Sequence, residues 1–196
     1  MEKINFIKTF IPQGDFREKY EHGGMMVRHL AAVLDEKMGA YECYECTVPI
    51  GEYDEGEIQK AFIEFTAKMD ALKLKQAKVE KIAEITAYDT SDKVNGFVLN
   101  GLLVWLDKAT RVGLMNSTTI AKAAGQQTTT LWLGDVKLAA DCDKAIQLLS
   151  ALEMYALECF NVTAAHKAAV SDLKTIKEVE AFDVTADYPK QLEMKL

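Results

Sequence analysis

The sequence has few prolines and fewer basic than acidic residues, and it contains no long apolar run. Hydrophobic residues at 49% and charged residues at 27% exclude collagen, disorder and a membrane bundle as descriptions of the whole chain. No apolar run approaches the about 18 residues of a membrane-spanning helix, so we expect no membrane partner. The first fifteen residues lack the apolar segment that a secretory signal needs. We therefore expect a cytoplasmic protein.

Basic residues are outnumbered by acidic ones. Lys and Arg total 23 against 30 Asp and Glu, which gives a net charge of −7. An acidic surface repels phosphate groups, so nucleic acid and anionic lipid are disfavoured partners. The most basic window, residues 68–81, also contains Asp70 and Glu80 and has no aromatic residue. We interpret this window as the solvated face of a helix.

The motifs that carry common catalytic chemistry are absent. The sequence has no glycine-rich phosphate loop, no H-E-x-x-H zinc motif and no G-x-S-x-G nucleophile motif. Cys159 and His166 fall on one stripe of a predicted helix, but seven residues of helix separate them by about 10 Å. A nucleophile and its base need hydrogen-bond contact. We therefore predict no catalytic residue and no cofactor, and we interpret His166 as a core or interface histidine.

Cysteines are few, and two of them have a spacing found in metal sites. Cys43 and Cys46 form a C-x-x-C pair, which is half of a zinc site or a redox pair. A second such pair is absent, and on a strand the two thiols would lie on opposite faces. We favour reduced, buried thiols and predict no metal site. A zinc-binding interaction module through Cys43 and Cys46 stays an alternative.

The first fifty residues indicate a small mixed module. Alternating apolar residues predict a strand over residues 3–10, ended by Pro12 and Gly14. The next stretch has two interpretations, because a short apolar run does not separate helix from strand. Residues 25–38 fit a helix closed by Gly39, and residues 25–34 and 40–48 fit two strands.

A long helix follows. Asp54 and Glu57 have the spacing of a helix-start signal. After it, apolar positions recur at alternating steps of four and three, which is a heptad pattern interrupted by one glutamine. The stripe consists of Ile58, Phe62, Phe65, Met69, Leu72, Gln76, Val79, Ala83 and Thr86. We expect this helix to dock its stripe on the rest of the chain or to pair with a second copy as a coiled coil.

The C-terminal half is predicted to contain two hairpins and several helices. Asn100-Gly101 predicts a type I′ hairpin over residues 97–105, and Gly134-Asp135 predicts a second hairpin over residues 128–139. Helices are predicted over residues 107–124, from Asp141 onward, and after a Thr175–Glu178 capping box. Segregated hairpins and helices favour an α+β fold. We predict three parts: a mixed module (1–53), a helical connector (54–88) and an α+β domain (89–196).

The predicted helix that begins at Asp141 has its own apolar stripe. The stripe consists of Ala145, Leu148, Leu149, Leu152, Tyr155, Ala156, Cys159, Val162, His166 and Val170. Large aromatic side chains also concentrate in this half: Trp105, Trp132, Tyr155, Phe160 and Tyr188. They have two interpretations, as the core of the domain or, for one or two of them, as exposed anchors for a protein partner.

Spaced motifs between residues 91 and 192 resemble a known family. They occupy residues 91–111, 131–132, 149–156, 160–166, 173–175 and 187–189. This combination resembles a domain of unknown function from tailed phages and prophages, encoded near tail-fibre and fibre-assembly genes. The positions that carry the resemblance are Asn95, Asn100, Gly101, Trp105, Arg111, Trp132, Tyr155, His166, Tyr188 and Pro189. The family usually has glycine where this chain has Asp187, and the resemblance implies no activity, cofactor or catalytic residue.

The resemblance, the heptad pattern and the missing catalytic motifs lead to one expected function. We expect a non-enzymatic phage or prophage protein, tail-associated and structural or assembly-related, that acts through protein–protein contacts. Its expected partners are other tail or fibre proteins, with self-association through residues 55–87 as a further route. The expected location is the cytoplasm of the bacterial host, with incorporation into the virion as an alternative. A small tail-associated hydrolase is the alternative activity.

Overall fold

The chain has a mixed helix and strand fold, as predicted. The computed structural model describes residues 4–11, 17–19, 24–35, 40–49 and 51–195. The chain divides into two compact units, Met1–Lys73 and Leu74–Leu196. The three-part division at residues 53 and 88 stays a prediction. Within the described ranges, no helix combines the length and the apolar character that crossing a membrane requires.

The first unit contains a four-stranded antiparallel sheet. Its strands are β1 (Ile7–Ile11), β2 (Arg17–Lys19), β3 (Gly24–Asp35) and β4 (Ala40–Pro49), in the order β1-β4-β3-β2. The two-strand interpretation of residues 25–48 is therefore confirmed, and the helical one is wrong. The predicted first strand is shorter than expected. Pro12, Gly14 and Gly39 lie outside the described residues.

One face of β4 forms the core of this unit. Tyr44, Cys46 and Val48 alternate along the strand and are all buried, as expected for a strand with one covered face. They pack with Phe6 and with the first turns of the long helix, where the Tyr44 and Phe65 ring centroids lie 5.0 Å apart.

The predicted long helix is α1 (Glu55–Asp89). Its predicted start is confirmed, because the Glu57 N–H donates to Asp54 Oδ1 at 2.8 Å and the Asp54 N–H donates to Glu57 Oε2 at 3.0 Å. These two bonds satisfy backbone donors that the first turn of a helix leaves free.

The predicted heptad stripe holds only in the first half of α1. Ile58 is buried there, with Phe62 and Phe65 packed beside it, but Leu72 and Val79 are half-exposed. In the second half, Ile85 is fully buried instead. A straight helix drifts by about 20° per heptad from a 3.5-residue repeat, so one stripe does not stay on one face over 35 residues.

The second unit contains the two predicted hairpins. Strands β5 (Phe97–Leu99) and β6 (Leu102–Val104) meet at Asn100 and Gly101, whose φ angles are 51° and 84°, as a type I′ turn requires. Strands β7 (Thr128–Leu133) and β8 (Val136–Asp141) pair across Gly134-Asp135. The helix α2 (Lys108–Ala123) lies between the hairpins in the chain, and Gly125 follows its end.

A long helix, α3 (Cys142–Asp172), forms the core of the second unit. Most of its predicted stripe is buried, but Ala156 and Val162 are only half-buried, and Thr163 is buried next to Val162. Asp141 is the N-cap residue, as predicted, although its side chain makes no capping hydrogen bond. The stripe packs on buried residues of both hairpins, including Phe97, Leu99, Leu131 and Leu133.

The C-terminal segment returns to the first hairpin. The capping box predicted at Thr175 and Glu178 starts α4 (Ile176–Glu180), and N–H groups of Lys174 and Thr175 hold the pKa of the Glu178 carboxyl below its ordinary value. Asp187 has a φ of 61°, a region that glycine occupies without strain. The final strand β9 (Glu193–Met194) pairs in parallel with β5, and the sequence did not predict it.

Candidate functional site

A cleft in the second unit brings together residues from three helices and the loops between them. Asp89 comes from the end of α1, Asn95 from the turn before β5, Trp105 from the loop before α2, Arg111 from the start of α2, and Phe160 from α3. The cleft has a volume of about 310 Å³, at the small end of ligand-binding clefts.

The Arg111 side chain is buried at the wall of this cleft. Its Nε donates to Glu153 Oε2 at 2.7 Å, and its Nη1 donates to the backbone oxygen of Leu106 at 2.7 Å. The guanidinium carbon also lies 5.3 Å from the centre of the Trp105 ring, within the range of a cation–π contact. These three contacts hold the guanidinium in place, and its positive charge is balanced by the Glu153 carboxylate of the same protein.

Local sequence explains how Arg111 reaches this position. Asp107 caps α2, because its Oδ1 accepts the N–H of Thr110 at 2.9 Å, and hydrogen bonds from Thr110 lower the pKa of the Asp107 carboxyl. The cap starts the helix so that Arg111, one turn later, faces Glu153 on α3.

A hydrogen-bonded network lies behind the cleft. Asp89 Oδ1 accepts the hydroxyl of Thr163 at 2.7 Å, and the Thr163 and Tyr188 hydroxyl oxygens are 2.7 Å apart. Tyr155 donates to the backbone oxygen of Val94 at 3.1 Å. Burial raises the pKa of both tyrosines. The hydrogen-bond partner of the Asp89 side chain in this network is the hydroxyl of Thr163.

Cys159 lines the cleft, but its thiol is unreactive. The side chain is buried, and burial raises its pKa above the ordinary value. A protonated thiol is a poor nucleophile and a poor metal ligand.

This environment predicts slow alkylation of Cys159. We expect the thiol to react with iodoacetamide at neutral pH at least about ten-fold more slowly than a thiol introduced by S150C on an exposed part of α3. Peptide mass spectrometry separates the two rates within one protein. Equal rates would contradict the assignment of Cys159 as a buried, neutral thiol.

His166 is buried and does not line the cleft. Its ring makes edge contacts with Phe182 and Tyr188, at centroid distances of 5.3 and 5.5 Å, and its Nδ1 has no hydrogen-bond partner within the described residues. The residue holds the C-terminal segment against α3 through these ring contacts.

The structure brings together some of the positions that carry the sequence resemblance, and others lie apart. Those that line the cleft are Asn95, Trp105 and Arg111. Those that pack behind it are Tyr155, His166 and Tyr188, with Pro189 next in the chain. Those outside it are Asn100 and Gly101 in the first hairpin turn and Trp132 on the second hairpin. Of the five aromatic residues considered from the sequence, Trp132 and Phe160 are exposed, Tyr155 is buried, and Trp105 and Tyr188 are half-buried.

Sequence reasoning missed three polar residues of this region: Asp89, Glu153 and Thr163. Asp89 and Thr163 are 74 residues apart in the chain, and Arg111 and Glu153 are 42 apart. No local spacing relates such residues. Thr163 was not part of the predicted stripe of α3, which passed through its neighbour Val162.

The metal candidates lie in the first unit. Cys46 is buried against the core, and burial together with Glu45 raises its pKa to about 11. The backbone of Cys43, three positions earlier on the same strand, is paired with Thr9 and Leu30. Among the residues that the structure describes, no cluster of three or more potential metal ligands occurs.

Comparison with known families places the second unit. A family model described as a domain of unknown function (DUF4376) matches residues 76–186, which is more than half of the chain. The chain belongs to the DUF4376 family. No curated protein and no solved structure matches this DUF4376 chain.

The DUF4376 match contains every residue of the cleft. It begins in α1, before Asp89, and ends two residues before Tyr188. The cleft is therefore built from the part of the chain that defines the DUF4376 family, and the sheet of the first unit lies outside the match.

Proposed function

We propose that this DUF4376 protein is a non-enzymatic phage or prophage protein, a tail-associated structural or assembly component that acts by contacts with other tail or fibre proteins. One observation carries the proposal. The charged Arg111 in the cleft is paired inside the protein, whereas apolar side chains at its rim are exposed. Leu157 is 49% exposed and Phe160 is 67% exposed.

The rim has the character of a protein-contact surface. Leu157 and Phe160 lie three residues apart on α3, and both line the cleft. Val112 of α2 does not line the cleft, but it is exposed in a neighbouring groove that shares Arg111 and Glu153 with it. Exposed apolar patches rimmed by polar residues mark protein-contact sites, and a few large side chains that become buried carry most of the binding energy at such contacts. We infer that a tail or fibre protein covers this rim.

A tail-associated hydrolase finds less support in the cleft. Hydrolysis needs a general base or a nucleophile within reach of the substrate. Glu153 is paired with Arg111, Asp89 is hydrogen-bonded to Thr163, and Cys159 holds its proton.

Self-association through residues 55–87 stays a second proposal. Leu72 and Val79 occupy heptad positions of α1, and both are half-exposed. A parallel pair of α1 helices would cover them. This route concerns assembly of the protein with itself and is separate from the rim of the cleft.

A matched pair of leucine substitutions tests the proposed function. We expect L157D to reduce co-purification of the tagged protein with tail or fibre proteins from phage-producing cells by about ten-fold or more, because it places a charge in the contact. The control is L102D at the first hairpin, where the leucine is 56% exposed. The control is expected to leave co-purification unchanged.

Separate fractionation of assembled particles and host cytoplasm, in the same cells, distinguishes a virion component from an assembly factor. Equal loss in both variants would contradict the proposed role of the rim. So would full retention of tail proteins by L157D.

A further inference from the structure

One edge of the second hairpin, that of β8, is unpaired within the described residues. In the part of the chain that the structure describes, β8 pairs with no strand except β7. The register pairs Leu133 with Val136 next to the turn, and the Cys142 N–H donates to the oxygen of Gln127 at 3.0 Å at the other end.

These two ends fix the direction of every backbone group on β8. Antiparallel pairs alternate between hydrogen-bonded and non-hydrogen-bonded positions. The pair next to the turn, Leu133–Val136, is hydrogen-bonded, and so is the pair formed by residues 127 and 142. Counting alternately between them, the pairs that contain Lys137 and Ala139 are not hydrogen-bonded. The N–H and C=O groups of Lys137 and Ala139 therefore point away from β7, along the free edge.

No charged side chain lies at the middle of this edge. Natural edge strands are commonly blocked by charged side chains, Lys above all. In β8 the charged Lys137 and Asp141 lie toward the two ends, and Ala139 and Ala140 between them are small. A groove of about 390 Å³ runs beside this edge, lined by Thr128, residues 138–141 and Lys144. The charged side chains nearby make weak contacts, with the Lys137 ammonium 5.9 Å from the Trp132 ring centre and Lys144 3.7 Å from Asp141.

Charge complementarity identifies what fits this edge. If two β8 strands pair antiparallel about a two-fold axis at Ala139, Lys137 faces Asp141 of the partner subunit, and Asp141 faces the partner subunit's Lys137. Both charge pairs are attractive, and opposite charges across strands stabilise a sheet. On the other face, Leu138 meets Ala140 of the partner subunit. A C2 pairing repeats each of these contacts.

We propose that β8 is a homodimerisation edge, at which two copies of the chain join their second hairpins into one four-stranded antiparallel sheet. The pairing uses backbone groups that β7 leaves free, and the Lys137–Asp141 contacts set its register. Asp141 would have to leave its present contact with Lys144 to face the partner's Lys137. Breaking that contact costs little free energy, because Lys137, Asp141 and Lys144 are all exposed and exposed ion pairs are weak. The proposal is independent of the tail-associated role and of the α1 stripe.

Two charge reversals test this register with the full chain. In a K137E dimer, the new glutamate at position 137 would face the partner's Asp141, and in a D141K dimer Lys137 would face the new lysine at position 141. Like charges then meet across the interface, so each variant repels its own copy. We expect each to raise the dimer dissociation constant by about ten-fold or more at low salt. An equimolar mixture of the two pairs opposite charges again and is expected to restore dimerisation, measured by sedimentation velocity.

Further variants separate folding from pairing. D141K removes no capping hydrogen bond at the start of α3, because the Asp141 side chain makes none there. A139P removes an outward N–H without touching the ladder to β7 and is expected to abolish dimerisation. K93E, an exposed reversal elsewhere in the unit, is expected to have no effect.

Three outcomes would overturn the proposal. One is a monomeric wild-type chain across a dilution series that reaches about 1 mM, where even weak specific contacts populate. Another is a dimer that survives in both single variants. The third is a mixture of the two folded variants that stays monomeric.

Discussion

Replacing Gly96 by alanine is expected to lower the free energy of unfolding of the second unit by about 2–3 kcal/mol. A Cβ at this position would lie 2.4 Å from the backbone oxygen of Asp92 and 2.9 Å from a methyl group of Leu103. A backbone oxygen does not move without distorting the turn that carries Asn95 into the cleft. Urea unfolding followed by tryptophan fluorescence measures the change, because Trp105 and Trp132 both lie in this unit.

The same substitution at Gly113 is the matched control. Gly113 lies inside α2, and a Cβ there would meet nothing within 4 Å. We expect G113A to stabilise the unit by about 0.5–1 kcal/mol, because alanine loses less conformational freedom in a helix than glycine does. Equal effects of G96A and G113A would contradict the close packing described around Gly96.

Replacing Arg111 by methionine is expected to cost about 2–4 kcal/mol of unfolding free energy. Methionine fills part of the volume but leaves the buried backbone oxygen of Leu106 without its donor and leaves Glu153 without its partner. The loss of unfolding free energy stays below that for breaking a fully buried ion pair, because the Glu153 side chain is 45% exposed and water can solvate its carboxylate in the variant. The same fluorescence measurement applies.

E153Q separates the two contacts of Arg111. The amide oxygen of glutamine still accepts from Arg111 Nε, and the Leu106 contact is untouched, so we expect a loss of about 1 kcal/mol or less. If E153Q cost as much as R111M, the ion pair and not the backbone contact would fix the guanidinium.

The sequence predicted the local features of the fold because they depend on neighbouring residues. Asn100-Gly101 specifies a turn with positive φ angles, and the Asp54–Glu57 and Thr175–Glu178 pairs specify helix starts. Each signal acts within four residues, so tertiary packing did not alter it. The same reasoning left residues 25–48 open, because the choice between helix and hairpin depends on the pairing of β3 and β4 with other strands.

Features that depend on distant residues were not predictable in this way. The heptad pattern indicated one buried stripe along α1, but Leu72 and Val79 are half-exposed. The parallel pairing of β9 with β5 joins Val98 to Glu193, which no local pattern relates. The cleft is built the same way, from Asp89, Arg111 and residues of α3.

The site could be predicted only in outline. The resemblance drew attention to Asn95, Trp105 and Arg111, which do line the cleft, but it also included the hairpin turn residues, which serve the fold. Asp89 and Glu153 are acidic residues, and such side chains usually face solvent, so nothing in the sequence marks them as part of a site. Their positions depend on contacts between distant parts of the chain, such as Asp89 with Thr163 and Arg111 with Glu153, and not on any motif.

Site-specific photo-crosslinking from the rim of the cleft tests the proposed function most directly. A photoreactive phenylalanine analogue at position 160 is activated in phage-producing cells, and adducts are identified by mass spectrometry. The account predicts a discrete adduct with a tail or fibre protein, lost when L157D is added and absent when the analogue replaces Leu102. An absence of protein adducts at position 160, or the same adducts from both positions, would contradict it.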